Sequence, residues 1–482
     1  MSHSDAPTRK PSSFTDSACE IAGAIAAGQT TPHKIAMKVL ERIDEVEDRV
    51  RAFSQFDREH VERQGEDLTA EATAGRLRGP LHGVPVAIKE WFDVEDYPTR
   101  VKGADSPRES RDATVVARLR AAGALIVGKT HVPIDGVPPP TRNPWNLAHT
   151  PGGSSSGSAA AVAAGIVPLA VAEQTGGSIL RPAAFCGLPA IKPTYGTISR
   201  AGCFTGIWSR DHPGLIGLDM TDLALALSVA AGHDPRDPTT IERPGPPADL
   251  DVGTIRPPRI GVVRNFFPEI TEPEGLSAVE RGVAGLRDSG ADVVDVRLPE
   301  AFGVVWDAIH FQSVESATAQ ASRWETEGLP HPGEFDKPAS PASGHDPEGD
   351  APRALLTNER SRLGDMISAM VPGTYYLQAR RIRTWLTGLV IELMSDLSLD
   401  ALLTAAAPGE APEGLTSTGN SALLIPWSFL GLPAITVNAG LSERGLPLGI
   451  QLVGTPRADH SLLRVGHFSQ QSLGYLQRPE LA

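Results

Sequence analysis

TPGGSSSGSAAAVAAGIVPLAVAEQTGGSILRPAAFCG, residues 150–187, decides how this chain is read. A first Gly/Ser loop, Gly152 to Gly157, runs into a stretch of small residues with helical character. An apolar strand follows, and a second loop, Thr175-Gly176-Gly177-Ser178, opens onto another turn rich in small residues. Two glycine loops thus flank one α/β unit. Glycine permits positive φ and close approach of the backbone, so both loops can aim N–H groups at one point. Neither carries phosphate-binding spacing: G-x-x-x-x-G-K-[ST] is missing, and no G-x-G-x-x-G opens a helix with an acidic residue about 20 positions on. By themselves such loops are often linkers or tight turns, in which Ser154 and Ser178 would be turn or cap serines.

Upstream, GVPVAIKEWFDV places Val84, Val86 and Ile88 in a short apolar run that ends in charge, so Lys89 is expected at the end of an interior strand. Earlier still, Ile21 and Ile25, then Ile35, Val39, Leu40 and Ile43, recur at helical spacing on either side of GQTTP, which predicts a helix stop and a capped restart. TVVARLRAAG followed by ALIVGKT gives a helix-then-strand order, and the same order returns in VAGLRDSGADVVDVRLP. Residues 325–353 are rich in Pro, Gly and charge without periodicity and read as a surface excursion. Residues 354–399 regain helical spacing, and LPAITVNAGL and LPLGIQLVG read as late strands. A late strand pair after helices favours one sheet over two domains. The expected fold is a single large α/β domain over residues 14–482, behind a flexible tail at 1–13. Its mixed, mostly parallel central sheet should be covered by helices on both faces.

Hydrophobic residues make up 40% and charged residues 21%, ordinary globular usage that lets the chain fold without metals or crosslinks. Lys plus Arg number 44 against 58 Asp plus Glu, a net charge of −14 with no Lys/Arg run, so a phosphate backbone would be repelled and no nucleic-acid partner is expected. Cys19, Cys186 and Cys203 form no C-x-x-C pair, which argues against a disulfide framework and a zinc site and fits a reducing compartment. MSHSDAPTRKPSS lacks the apolar core of a secretory signal. The most apolar stretch, residues 158–172, contains Gly165 and Pro168 and is too short for a bilayer of about 30 Å. A cytoplasmic location without membrane attachment is therefore expected.

GGSSSGSAAAVAAG followed by TGGSILRPAAFCG, and preceded by GVPVAIKE, resembles the amidase signature family, with the three motifs in the family's order. The similarity extends through KPTYGTISRAG, SRDHPGLIGLDMTDLALAL and LGLPAITVNAGLSERGLPLGIQLVG, nearly the whole chain. It implies a serine hydrolase in which Ser178 is the nucleophile, Ser154 the bridging serine, held by a cis peptide bond, and Lys89 the base. No cofactor or metal is implied. Lysine has an unperturbed pKa of about 10.4, so the base must be desolvated to act as a neutral amine. The backbone N–H groups of Thr175, Gly176, Gly177 and Ser178 are the implied oxyanion donors. Gly153, Cys203 and Arg181 are substrate-side candidates, together with a helical region at about 306–399.

Two departures from the family pattern stand out. Gln174 replaces the commoner Asp four residues before the nucleophile, and Arg181 lies three residues after it rather than two. IDGVPPPTRNPW also replaces a more acidic and aromatic segment, so the pocket shape should differ. Ser155 and Ser156 read as loop and capping residues, and Cys186, Trp91, His131, His212 and His310 receive no role. The expected activity is hydrolysis of a small amide, anilide or carbamate, with ester cleavage as a side activity; a homodimer is allowed. Two alternatives are the glutamine-hydrolysing subunit of a tRNA-dependent amidotransferase and a catalytically silent ligand-binding member. Retention of Lys89, Ser154 and Ser178 argues against the silent form.

Overall fold

The computed structural model describes residues 17–101, 104–108, 111–134, 137–242, 245–312, 314–315, 370–474, 479 and 481. The expected tail at 1–13 and excursion at 325–353 lie outside these residues. Ser17 opens α1 (Ala18–Ala26) with a capping box: its hydroxyl accepts from Glu20 N–H, and its own N–H donates to the Glu20 carboxylate. GQTTP acts as predicted, with Thr31 capping α2 (Pro32–Val50) and proline at its first position. Ile35, Val39, Leu40, Ile43 and Val46 form its buried stripe, each contributing about 1.5–3 kcal/mol on leaving water.

From there the chain alternates. It runs through β1 (Phe53–Phe56), α3 (Arg58–Thr73), β2 (Pro85–Lys89), β3 (Pro98–Val101), β4 (Ala104–Arg108), α4 (Thr114–Ala121) and β5 (Leu125–Thr130). Next come α5 (Ser156–Ala163), β6 (Leu169–Gln174), α6 (Leu180–Phe185), β7 (Ala190–Lys192), β8 (His212–Gly217) and α7 (Met220–Ala230). The second half adds β9 (Arg259–Val263), α8 (Pro273–Asp288), β10 (Asp292–Val296), α9 (Val305–Gln312), α10 (Gly373–Asp396), β11 (Ala401–Ala405), α11 (Ile425–Leu430), β12 (Ala434–Leu441), β13 (Pro447–Val453) and α12 (Asp459–Leu473). Both helix-then-strand pairs expected from sequence are present, as α4–β5 and α8–β10, and the late strands are β12 and β13.

Eleven strands form one mixed sheet in the order β1-β5-β2-β6-β8-β7-β12-β13-β11-β9-β10, while β3 and β4 pair separately. Parallel pairing holds the flanks, β5–β2–β6 and β11–β9–β10, and antiparallel pairs join them through the middle. Every residue of β2, β5, β6, β8, β11 and β13 is buried, which requires cover on both faces of a large single α/β domain. The late strands enter the middle of the sheet, Ala434 pairing with both Lys192 and Val453.

Two consequences position the site. β2 and β6 are parallel neighbours, with Ile88 opposite Val171, so their carboxyl ends deliver Lys89 and Glu173 to the same edge. The helix α5, SGSAAAVA, is buried along its whole length. Its residues must be small: a Cβ at Gly157 would come within 2.1 Å of the Ala52 carbonyl oxygen.

Candidate active site

Lys89 closes β2 with no solvent exposure, and its Nζ donates to three acceptors: Ser154 Oγ at 2.8 Å, the Glu173 carbonyl at 3.0 Å and Glu173 Oε2 at 2.9 Å. Burial holds the ammonium below its ordinary pKa, and the Glu173 carboxylate works in the opposite direction. The amine also lies 4.1 Å from the centre of the Trp91 ring. The predicted base and bridging serine are therefore in direct contact. The peptide bond between Gly153 and Ser154 is cis, as the resemblance implies.

Ser154 and Ser178 are half-buried among neighbours that are largely buried. The two loops are joined one residue beyond the bridging serine, where Ser155 N–H donates to the Ser178 carbonyl at 3.2 Å. The Ser155 hydroxyl turns inward, donating to the Glu173 carbonyl and accepting from Glu173 N–H, while Ser156 Oγ donates to the Gly152 carbonyl at 2.7 Å. Both hydroxyls tie the loop together but, against expectation, neither caps α5, since among the described residues no side chain bonds its first N–H groups. Among the described residues, the N–H groups of Thr175, Gly176, Gly177 and Ser178 make no hydrogen bond with the protein. Four consecutive N–H donors without a protein acceptor thus lie beside Ser178. A side chain at Gly177 could not be accommodated, since its Cβ would lie 2.7 Å from Leu424 Cδ1 and 2.9 Å from Ser421 Cβ.

The two departures from the family pattern have structural work. Gln174 is fully buried: its Oε1 accepts from the N–H groups of Ile179 and Leu180, and its Nε2 donates to Ser428 Oγ, which in turn donates to the Gly176 carbonyl. The side chain thus caps α6 and braces the nucleophile loop from below. Arg181 donates to the Gly153 carbonyl at 2.6 Å, to Thr418 Oγ1 at 3.2 Å and to the Gly419 carbonyl at 3.0 Å. Burial without a carboxylate partner lowers its pKa to about 10. Its contacts anchor the peptide that carries Ser154.

A second wall comes from AGCFTG. Phe204 N–H donates to the Trp91 carbonyl at 2.8 Å, Asp93 N–H to the Gly202 carbonyl, and the Trp91 and Phe204 rings meet edge-on at 5.7 Å. This lays Cys203 near Lys89, where burial, with the Glu173 charge adding to it, keeps the thiol far above its ordinary pKa. A thiol held protonated in this way is not poised as a thiolate nucleophile. A cavity of about 550 Å³ is lined by Phe185, Glu272, Gly409, Ser417, Asn420 and Ser421, and Ser421 is also the side chain packed on Gly176 and Gly177.

Three residues were not assigned from sequence: Glu173, Trp91 and Asp211. Asp211 accepts from Ile207 N–H, and burial together with the Glu173 charge raises its pKa to about 7. The signal for Glu173 was in view, since an acid at the inner end of the apolar strand LAVAEQ must meet a partner. Among the described residues there is no group of three side chains suited to holding a metal ion, and no helix long and apolar enough to cross a membrane.

The sequence model of the Amidase family matches residues 34–463. A curated relative from Roseiflexus sp. (strain RS-1), one of the subunits of glutamyl-tRNA(Gln) amidotransferase, is 34% identical over 470 residues, which is 93% of this chain and 94% of that one. Among solved structures, the peptide amidase of Stenotrophomonas maltophilia superposes with a TM-score of 0.77 at 26% identity, covering 96% of this chain and 98% of that one. A chain from a vestigial protein complex bearing on the origins of an s-triazine catabolic enzyme gives a TM-score of 0.82 at 28% identity, covering 96% and 100%. With the family model spanning most of its length and the geometry of both loops in place, this chain belongs to the amidase family.

Proposed function

We propose that the protein cleaves the C–N bond of an amide through an acyl-enzyme on Ser178. Lys89 serves as base, Ser154 as proton relay, and the N–H groups of residues 175–178 receive the oxyanion. The observation that carries this reading is the 2.8 Å contact between Lys89 Nζ and Ser154 Oγ, with the bridging loop hydrogen-bonded to the nucleophile loop at Ser178. Attack by Ser178 sends its proton to Ser154 and on toward Lys89. The tetrahedral intermediate collapses as the leaving amine takes a proton back through Ser154, and water then releases the acyl group by the reverse path. Gly153 and Cys203 line the substrate side in this reading, and Arg181 positions the relay peptide.

Two substrate classes fit this chemistry. The solved peptide amidase favours a small amide hydrolysed by the chain alone. The curated relatives at 32–34% identity favour the side-chain amide of glutamine, with ammonia passed to a partner protein, and in sequence this second reading has the stronger support. The test is ammonia and amine release from glutamine, primary amides, anilides and carbamates, with Ser178→Ala as control. Turnover of any of them that disappears in Ser178→Ala supports the acyl-enzyme, and turnover of glutamine alone selects the amidotransferase reading. Turnover unchanged in Ser178→Ala would overturn the assignment.

A further inference from the structure

Glu173 is an acid that the relay just described does not use. It is 1% exposed, and its carboxylate accepts from Lys89 Nζ at 2.9 Å and from the Thr175 hydroxyl at 3.1 Å. With the Glu173 carbonyl and Ser154 Oγ, this gives Lys89 three acceptors for three N–H protons, the hydrogen-bonding pattern of an ammonium. An ammonium with every proton so directed has no electron pair to offer Ser154. We propose that Glu173 is the positioning and proton-accepting partner of Lys89, taking one lysine proton so that the amine can receive the proton coming from Ser178 through Ser154. The proposal rests on the acyl-enzyme reading above.

The step balances. The proton between Nζ and Oε2 moves to Glu173, leaving a neutral amine and a carboxylic acid. The freed nitrogen pair takes the Ser154 proton, and Ser154 takes the Ser178 proton. The Ser178 oxygen bonds the carbonyl carbon, whose π pair moves to the carbonyl oxygen. An ammonium and a carboxylate at the start become an ammonium, a neutral acid and an oxyanion, with no net change in charge. When the leaving amine takes its proton from Lys89 through Ser154, Glu173 returns its own.

The surroundings fit a proton held within the pair. Lys89 faces Glu173, Cys203 and Asp211 as titratable groups and the Trp91 ring; Glu173 is faced by Lys89, Thr175, Cys203, Asp211 and Arg210. Burial lowers the Lys89 pKa while the Glu173 carboxylate raises it, so the charge on the lysine depends on its partner. In the wild type, the competent form is the pair carrying one shared proton, and its acid limb is the uptake of a second proton by the pair. In Glu173→Gln the amide cannot take a proton. Lys89 must then lose one to solvent, and the limb moves up to that of the lysine.

The experiment measures the rate at which a fluorophosphonate labels Ser178 in the full chain from about pH 5 to about pH 9.5, for the wild type, Glu173→Gln and Glu173→Asp. The expected result is labelling about 10²-fold slower in Glu173→Gln at about pH 6, with the gap narrowing as pH rises, because the variant's limb has shifted upward. Glu173→Asp keeps an acid and should keep the wild-type limb at a lower rate. A limb in Glu173→Gln that stays in place marks a purely structural residue. One that moves down marks a carboxylate that merely stabilises the ammonium. Either overturns the proposal, as does an upward shift of about one unit or more in Glu173→Asp, which is read even if Glu173→Gln does not fold. Absence of any Ser178 adduct in the wild type overturns the acyl-enzyme reading itself, and this inference with it.

Discussion

Arg181→Met separates anchoring of the relay from global stability. The guanidinium makes three hydrogen bonds, to Gly153, Thr418 and Gly419, and bonds from a charged donor contribute about 1.5–3 kcal/mol each. Against this stands the cost of keeping an unpaired charge buried: lowering the Arg181 pKa from its ordinary value to about 10 corresponds to about 3 kcal/mol. The hydrogen bonds outweigh that cost, so Arg181→Met should lower stability by about 1.5–6 kcal/mol, toward the lower end because methionine fills the apolar volume without the desolvation penalty. Activity should behave differently. The Gly153 carbonyl belongs to the peptide that carries Ser154, and a displacement of about 1 Å at a relay group costs about 10²-fold in rate. The assay pairs urea unfolding with labelling kinetics at one pH; Arg181→Lys, which keeps the charge but loses the planar fork, should fall between the two. A folded Arg181→Met that labels within about threefold of the wild type, or one that loses stability in proportion to its rate, would refute the reasoning.

Gln174→Ala removes the acceptor for two N–H groups at the start of α6 and the link through Ser428 to Gly176. It should cost about 1–3 kcal/mol in urea unfolding and slow labelling, whereas Gln174→Asp, which keeps an acceptor, should recover part of both. Gly177→Ala forces a methyl group against Leu424 and Ser421; about 1–3 kcal/mol of lost stability and a displaced oxyanion cradle should appear as a lower melting temperature and slower labelling. Asp222 is fully buried on α7, with Oδ1 accepting from Cys19 N–H and Oδ2 unpartnered, and burial raises its pKa to about 7. The folded chain then holds a proton that the unfolded chain has released, so stability should fall as pH rises from the ordinary carboxylate range to about 7 and level off above it; Asp222→Asn should flatten that slope in thermal melts across pH.

The fold was legible wherever period and punctuation agreed. GQTTP marked a helix boundary because a threonine cap and a proline at the first helical position state the same thing twice. VAIK and LAVAEQ read as interior strands because continuous apolar runs need cover on both faces. Strand order was not legible, since nothing local in LPAITVNAGL reveals that it pairs with the short β7 in the middle of the sheet. At the site, Lys89 and the two serine loops were visible from their motifs. For Glu173 the sequence signals that a buried acid needs a partner but not which one, because the pairing of neighbouring strands that brings the end of β6 to Lys89 at the end of β2 is not local. The roles of Gln174 and Arg181 were hidden for a similar reason: their partners, Ser428, Thr418 and Gly419, lie far along the chain. Long-range hydrogen bonds leave no periodic trace.

The most direct test of the central claim is the intact mass of the protein after reaction with a fluorophosphonate, read for the wild type, Ser178→Ala and Lys89→Ala, with thermal melts to establish that each is folded. The account predicts a single adduct on the wild type, mapped to Ser178, none on Ser178→Ala, and a rate lower by about 10²–10⁴ for Lys89→Ala. An adduct that persists in Ser178→Ala, or a folded Lys89→Ala that labels as fast as the wild type, would contradict it.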